Sequence, residues 1–251
     1  MIKSRFREFF AFEKSSVQIS EQNGYRYLHL GSKTVQSAMS ITNPTDLILP
    51  YTKAMMGVML FVTDPKRALM VGLGGGSLPK YFYNRIPSTK IVVVEKNSEV
   101  VAVARQHFFL PENNHRFAVI ESEGFFWLSQ NVKKFDVIMV DGYDSTSQDE
   151  RLSTEEFYDL VRRNLSEVGV LVINCWTREG ILEETLKKLS SVFPTLAIIP
   201  AEKKGNVAVF AVKSVKKIIV SQLINRARSL ENCHDLEFPK MLKKLEFICH
   251  D

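Results

Sequence analysis

Five short apolar runs alternate with helical patterns between residues 68 and 173, and this alternation constrains the fold more than any other feature. The runs are Ala68–Val71, Ile91–Val94, Phe117–Ile120, Val137–Val140 and Val170–Ile173. They are continuously apolar and rich in β-branched residues, as expected of strands that are buried on both faces of a parallel sheet. Repeated strand–helix–strand units predict an α/β fold, with a doubly wound, mostly parallel, Rossmann-like sheet and right-handed crossovers.

Both ends of the chain depart from this pattern. Strand-like runs at 16–20 and 25–30 flank Asn23-Gly24, and Asn-Gly is the strongest short signal for a β-hairpin. Near the other end, two amphipathic helical patterns follow residue 213, and the second runs from Phe238 to Ile248. We therefore expect a small β-hairpin unit over 1–50, an α/β domain over 51–212 and a helical tail over 213–251.

A glycine-rich loop follows the first apolar run directly. It contains Gly72, Gly74, Gly75 and Gly76. Glycines allow a backbone to turn tightly and to approach a ligand closely, and Ser77 is the expected N-cap of the next helix. Glu95 ends the second strand, 19 residues after Gly76. A carboxylate at this position can accept hydrogen bonds from both hydroxyls of a ribose. The loop and this acid together predict a nucleoside-binding site.

Acidic residues also follow the third and fourth strands, where Glu123-Gly124 and Asp141 stand. Ligands of open α/β sheets bind beyond the carboxyl ends of the strands, so these groups are expected at the same edge as Glu95. A carboxylate at Glu123 can accept a hydrogen bond from an adenine amino group. The loop has neither the G-x-G-x-x-G pattern nor the lysine of a P-loop, which disfavours a dinucleotide and a triphosphate.

In these motifs the chain resembles the spermidine synthase family of polyamine aminopropyltransferases, in a bacterial spermidine-synthase-like branch. The resemblance covers about residues 17–212 and includes the glycine loop, Val94-Glu95, Glu123-Gly124, the stretch 135–144 and the stretch 152–158. It implies the class I S-adenosylmethionine methyltransferase fold for the nucleoside-binding domain. It also implies a homo-oligomer, either a dimer or a tetramer.

The resemblance also implies a cofactor and the residues that bind it. The family's donor is decarboxylated S-adenosylmethionine, a close relative of S-adenosylmethionine, and it leaves as methylthioadenosine. By position, Gln36, the glycine loop, Glu95, Glu123 and Gly124 are implied to contact this nucleoside. No metal is implied.

The acceptor side is implied in the same way. Asp141 corresponds to the catalytic aspartate, Asp144 to a second acid that grips the acceptor, and Tyr51 to a tyrosine that gates the acceptor pocket. The acceptor is a polyamine such as putrescine. Its amine has a pKa of about 10 and must lose a proton before it attacks the carbon beside the sulfonium, so a carboxylate at Asp141 can serve as general base.

Two positions depart from the family pattern and keep other functions open. Gly75 stands where the family's loop typically carries an aspartate, which binds the donor amine and repels the carboxylate of intact S-adenosylmethionine. Lys53 stands where the family usually has glutamate. The alternatives to an aminopropyltransferase are therefore a methyltransferase that uses intact S-adenosylmethionine, and a nucleoside-binding homologue that has lost catalysis.

A basic nucleic-acid-binding module is a further alternative, because the formal net charge is +5. The position of the charge argues against it, since residues 1–14 carry a net +2, residues 213–251 a net +3, and residues 15–212 are neutral.

The three cysteines lack metal-ligand spacing and favour a reducing compartment. No apolar run reaches the ~18 residues of a transmembrane helix, and the first residues are too charged for a signal peptide, so we expect a cytoplasmic protein without a membrane partner.

Overall fold

The computed structural model describes residues 7–10, 17–32, 34–142, 150–177, 180–201, 205–216 and 218–248. Within these ranges the chain forms two β-sheets, a small one near the amino terminus and a large one with helices on both faces. In the same ranges, every helix is too short or too polar to cross a lipid bilayer.

The small sheet is antiparallel and has four strands in chain order. They are β1 (Arg7–Phe10), β2 (Val17–Gln22), β3 (Tyr25–Leu30) and β4 (Val35–Ser40). Asn23 and Gly24 have φ angles of 53° and 80° and join β2 to β3, so the Asn-Gly pair makes the predicted hairpin turn. Val17 and Leu28 are buried in the main core, which holds this sheet against the rest of the protein.

The large sheet has eight strands in the order β12-β10-β11-β9-β8-β5-β6-β7. They are β5 (Arg67–Val71), β6 (Lys90–Glu95), β7 (Phe117–Glu121), β8 (Phe135–Val140), β9 (Leu165–Trp176), β10 (Thr195–Pro200), β11 (Asn206–Val212) and β12 (Glu246–Ile248). Strands β7, β6, β5, β8 and β9 are parallel neighbours, whereas β11 is antiparallel to β9 and to β10. The predicted doubly wound, mostly parallel sheet is confirmed.

Helices cover both faces of the large sheet. They are α1 (Pro50–Met55), α2 (Ser77–Arg85), α3 (Ser98–His107), α4 (Gly124–Gln130), α5 (Glu155–Asn164), α6 (Ile181–Ser190), α7 (Val220–Cys233) and α8 (Phe238–Lys243). Successive strand residues point to opposite faces, so Met70 belongs to the core under α2 and α3, and Leu69 belongs to the core under α4 and α5. This burial on both faces explains the continuous apolar runs.

The carboxyl-terminal region contains the expected helices α7 and α8, but the second one is shorter than the sequence predicts. Helix α8 ends at Lys243, and Ile248 lies in β12 opposite Leu196 of β10. The helical prediction for Ile248 was therefore wrong. The edge of β10 offers unpaired backbone N–H and C=O groups, and pairing with them replaces another helical turn.

Candidate active site

A cleft of about 690 Å³ opens at the carboxyl ends of the parallel strands. Strand β5 lies between β6 and β8, so the chain order reverses there, and such reversals leave a crevice in α/β sheets. The backbone hydrogen bonds between neighbouring strands continue one residue past the ends of β5 and β8. Gly72 N donates to Val94 O at 2.9 Å, and Asp141 N donates to Val71 O at 3.0 Å. The glycine loop and Asp141 are thereby brought side by side at the switch point.

Gly72 is required by this close approach. Its φ is +96°, and a Cβ atom at this position would overlap the carbonyl oxygen of Asp141. L side chains rarely adopt such a φ, and the oxygen belongs to rigid backbone. Residue 72 therefore has to be glycine for the ends of β5 and β8 to meet at the cleft.

The rest of the glycine loop divides between the cleft and the core. Gly74 lines the cleft together with Gly72. Gly75 instead packs against Phe108, and Gly76 packs against Leu110 with a left-handed φ of +72°, so these two predicted cofactor-binding glycines lie behind the cleft wall.

The N-cap of α2 also differs from the sequence prediction. Gly76 occupies the N-cap position that was expected for Ser77, so that prediction was wrong. The Ser77 hydroxyl lines the cleft instead and lies 3.3 Å from the hydroxyl of Ser37. A left-handed glycine at this point turns the chain from the loop into the helix without a side-chain cap.

Glu95 lines the cleft at the end of β6 and is only 9% exposed. Its Oε2 accepts a hydrogen bond from Leu73 N at 2.9 Å, and its Oε1 accepts one from Asn97 N at 2.9 Å. Each carboxylate oxygen can accept a second hydrogen bond. Glu95 therefore holds the glycine loop in place and keeps acceptor capacity for a pair of ligand hydroxyls.

Glu123 lines the cleft beside Gly124 and is also the N-cap of α4. Its two oxygens accept from Phe125 N at 3.0 Å and from Phe126 N at 2.9 Å. An Arg151 guanidinium lies 3.9 Å away. The sequence analysis did not foresee this capping role, although an acidic residue before a helical pattern is a recognised signal for it.

Asp141 contacts two polar side chains in the cleft. Asn174 Nδ2 donates to its Oδ1 at 2.8 Å, and the Tyr51 side chain faces its carboxylate. Burial raises the pKa of Asp141 above its usual value, although the Asn174 and Tyr51 side chains oppose the rise. Burial, followed by the Asp141 charge, raises the pKa of Tyr51 well above its usual value. Asp141 is consequently a carboxylate with increased affinity for a proton.

Other predicted positions fall differently around the cleft. Gln36 lines it, and its carbonyl oxygen accepts from the Tyr51 hydroxyl at 3.3 Å. Lys53 is exposed and lines a neighbouring hollow of about 210 Å³, which shares Pro50 and Ala201 with the cleft. Asp144 lies outside the described residues.

Two asparagines in the cleft were missed by the sequence analysis. Asn174 is 3% exposed in β9, and its Oδ1 accepts from Asn206 Nδ2 of β11 at 2.9 Å. The available signal was a polar residue directly after the apolar run Val170–Ile173.

In the described part of the chain, no group of three His, Cys, Asp or Glu side chains could hold a metal ion. The arrangement can thus bind a polar ligand and accept a proton from it.

Comparisons with known proteins identify this architecture. The family model of the spermine/spermidine synthase domain matches residues 48–221. The polyamine aminopropyltransferase of Chromobacterium violaceum is 38% identical over 232 residues, which represent 92% of this chain and 89% of that protein. These matches cover the cleft and most of the chain around it.

Solved structures agree with the fold. A probable spermidine synthase from Corynebacterium glutamicum has a TM-score of 0.74 at 18% identity, over 88% of this chain and 86% of that one. Human methyltransferase-like protein 13 in complex with SAH has a TM-score of 0.68 at 28% identity, over 74% of this chain and 92% of that one. The class I methyltransferase-like fold and the family resemblance are both confirmed. The chain therefore belongs to the spermine/spermidine synthase family, and it is a transferase of polyamine biosynthesis.

Proposed function

We propose that this enzyme transfers an aminopropyl group from decarboxylated S-adenosylmethionine to an amine of a di- or polyamine such as putrescine. The carboxylate of Asp141 takes a proton from the protonated amine, whose nitrogen then bonds to the aminopropyl carbon beside the sulfonium. The carbon–sulfur bond breaks, and its electron pair neutralises the sulfur. Methylthioadenosine leaves, and the nitrogen that formed the new bond carries one positive charge.

The observation that carries this proposal is the environment of Asp141. Its carboxylate lies at the cleft beside the glycine loop, and burial raises its pKa. A general base is most effective when its pKa approaches the working pH, so a raised pKa favours proton abstraction. Holding the amine and the sulfonium carbon in line supplies a further large part of the rate acceleration.

The other residues of the cleft divide between donor and acceptor in the proposal. Glu95 holds the ribose hydroxyls, because both of its oxygens can accept a second hydrogen bond. Glu123 and Gly124 contact the adenine, and Gln36, Gly72 and Gly74 line the donor site. The ligand of this site is related to S-adenosylmethionine, as in the SAH complex of human methyltransferase-like protein 13.

The proposed acceptor site lies on the other side of Asp141. Tyr51 contacts the acceptor, because its hydroxyl already reaches the Asp141 carboxylate. Trp176 and Ala201 line the same cleft and offer apolar surface to the methylene chain of a polyamine. Asp144 is proposed as a second acceptor-binding acid from its position in the family motif.

The test is the release of methylthioadenosine from decarboxylated S-adenosylmethionine and putrescine. Asp141→Asn removes the base while keeping the shape, and it should lower kcat by about 10²–10⁴-fold. In the wild type, kcat/KM should rise as the pH passes upward through the pKa of Asp141, because only the ionised carboxylate accepts a proton.

A matched control lies at the opposite end of the same strand. Asp136 accepts from Lys66 N at 2.8 Å and from Arg67 N at 3.1 Å, away from the cleft. Asp136→Asn should therefore change stability and leave kcat close to the wild-type value. An Asp141→Asn enzyme with the full wild-type rate would refute Asp141 as the base.

Methyl transfer from intact S-adenosylmethionine is the second candidate. It is favoured by the 28% identity with human methyltransferase-like protein 13, whereas Gly75, which suggested it in the sequence, lies behind the cleft wall. Incubation with intact S-adenosylmethionine and polyamines should then yield S-adenosylhomocysteine instead of methylthioadenosine. Tight nucleoside binding without either product would identify a homologue that has lost catalysis.

We also propose that the enzyme is cytoplasmic, as its sparse cysteines suggest, and that it is a homo-oligomer, as the family resemblance implies. Light scattering coupled to size-exclusion chromatography measures the mass of the assembly directly. A mass of two or four chains is expected, and the mass of a single chain would contradict the proposal.

A further inference from the structure

Two asparagines form a hydrogen-bonded chain that ends on the Asp141 carboxylate. Asn206 Nδ2 donates to Asn174 Oδ1 at 2.9 Å, and Asn174 Nδ2 donates to Asp141 Oδ1 at 2.8 Å. All three residues line the cleft. Neither asparagine has a role in the proposed chemistry, so their alignment on the base calls for an explanation.

The antiparallel register of β9 and β11 brings the asparagines together. Asn206 lies opposite Trp176, and Asn174 lies opposite Ala208. Asn174 and Trp176 are two residues apart in one strand, so their side chains point to the same face. Asn206 and Asn174 are therefore diagonal neighbours on the cleft face, a separation that long polar side chains can bridge.

The chemistry of the groups determines the direction of the whole chain. An ionised carboxylate only accepts hydrogen bonds, so the amide nitrogen of Asn174 has to face Asp141. Its carbonyl oxygen then faces Asn206, which has to present its own amide nitrogen. The donor of Asn206 thus opposes rotation of the Asn174 amide, and the Asn174 donor favours the charged form of Asp141.

We propose that Asn174 and Asn206 are positioning residues that orient the Asp141 carboxylate in the cleft and hold it in its proton-accepting form. Asn174 is 3% exposed, so water does not replace its hydrogen bond readily. Tyr51 of α1 is the titratable group that faces Asp141 within the described ranges, and its hydroxyl contacts the same carboxylate. This inference rests on the proposed role of Asp141 as general base.

The main variant is Asn206→Leu, which removes the amide donor without adding charge. Without the Asn206 donor the Asn174 amide loses one of the bonds that set its orientation, and Asp141 loses stabilisation of its charged form. We expect its pKa to rise by about one unit. In the enzyme assay, the acidic limb of the kcat/KM profile should move to higher pH by the same amount. At pH values below this limb kcat/KM should be about tenfold lower than in the wild type, and at pH values above it kcat/KM should recover.

Asn206→Asp is the second variant and keeps the shape of the side chain. The introduced carboxylate accepts only, so it competes with Asp141 for the Asn174 amide nitrogen, and the pKa of Asp141 should rise further. The introduced charge adds to this rise by repulsion, so the neutral variant Asn206→Leu separates the alternatives. If Asn206 merely bound the cationic acceptor, Asn206→Leu would raise KM without moving the titration of Asp141.

A second asparagine pair offers a matched control. Asn131 Nδ2 donates to Asn164 Oδ1 at 2.6 Å. Asn164 is 5% exposed, close to the value for Asn174, and its amide nitrogen donates to the carbonyl oxygens of Leu128 and Leu160. Asn131→Leu breaks a similar bond to an asparagine whose amide donates to backbone carbonyls instead of to Asp141, so it should lower the melting temperature and leave the pKa of Asp141 unchanged.

Carbon-13 NMR of the aspartate carboxyl groups measures the pKa directly, with Asp141→Asn to assign the signal. This titration needs no turnover, so a wild type that released no methylthioadenosine would overturn the proposed function alone. The positioning inference is overturned if the folded Asn206→Leu protein titrates at the wild-type pH. It is supported if Asn206→Leu titrates higher and Asn131→Leu does not.

Discussion

Replacing Gly75 with aspartate tests how tightly the glycine loop packs against the core. Aspartate is the residue that the family's loop typically carries at this position, so similarity alone predicts that it is harmless. In this structure, a Cβ atom at residue 75 would lie 2.8 Å from Phe108 Cδ1 and 2.8 Å from Ser37 Oγ. Phe108 is 0% exposed, so its ring cannot move without disturbing its neighbours.

The size of the effect follows from these two overlaps. Forcing extra atoms into a packed core costs about 1–3 kcal/mol, and a carboxylate adds a desolvation cost when it is buried. We expect Gly75→Asp to lower the free energy of unfolding by about 2–3 kcal/mol. For a chain of this size, each kcal/mol lowers Tm by about 2–4 °C, so a loss of about 4–12 °C is expected.

Urea and thermal unfolding of four variants and the wild type separate the causes. Gly75→Ala carries the same Cβ atom without the charge, so it should retain most of the loss. Combining Gly75→Ala with Phe108→Leu should cost less than the sum of the two single changes, because the smaller side chain relieves the overlap. The reasoning is refuted if Gly75→Asp unfolds within about 0.5 kcal/mol of the wild type, the range of an ordinary surface substitution.

Two other predictions concern buried charged groups. Glu95→Gln replaces one acceptor oxygen with a donor that faces Leu73 N or Asn97 N, so it should cost about 1–3 kcal/mol of stability. It should also weaken methylthioadenosine binding in calorimetric titrations, and unchanged affinity would contradict the ribose role. Burial lowers the pKa of Lys80 from 10.5 to about 7. The unfolded chain therefore binds more protons between these values, and stability should rise with pH across that window. Lys80→Met should abolish this rise in urea unfolding, and equal pH slopes in both proteins would disprove it.

Much of the fold could be predicted because its signals are local. The apolar run Ala68–Val71 became β5 almost without change, since a strand buried on both faces needs apolar residues at every position. Asn23-Gly24 made its hairpin because both residues adopt left-handed φ angles easily. The carboxyl-terminal strand could not be predicted in this way, because Ile248 joins the sheet through the free edge of β10, a distant partner.

The candidate site shows the same division. Glu95 and Asp141 could be placed at one cleft because each directly follows or ends a strand, and parallel strands of one sheet end at one edge. Which of the loop glycines line the cleft could not be predicted. Gly75 packs against Phe108 at the end of α3, a contact between residues that are far apart in the sequence.

The sequence by itself determined the alternation of strands and helices between residues 68 and 173, the need for glycine at residue 72 and the acids at the strand ends. Each of these features depends only on a few neighbouring residues: the spacing of the buried side chains, the backbone angles that glycine allows, or the residues that favour a turn. Only the tertiary structure decided that Asn206 reaches Asn174 and that Asn174 reaches Asp141. That chain of amides exists because β11 lies antiparallel beside β9 in one register, and a shift of one residue would turn Asn206 to the opposite face.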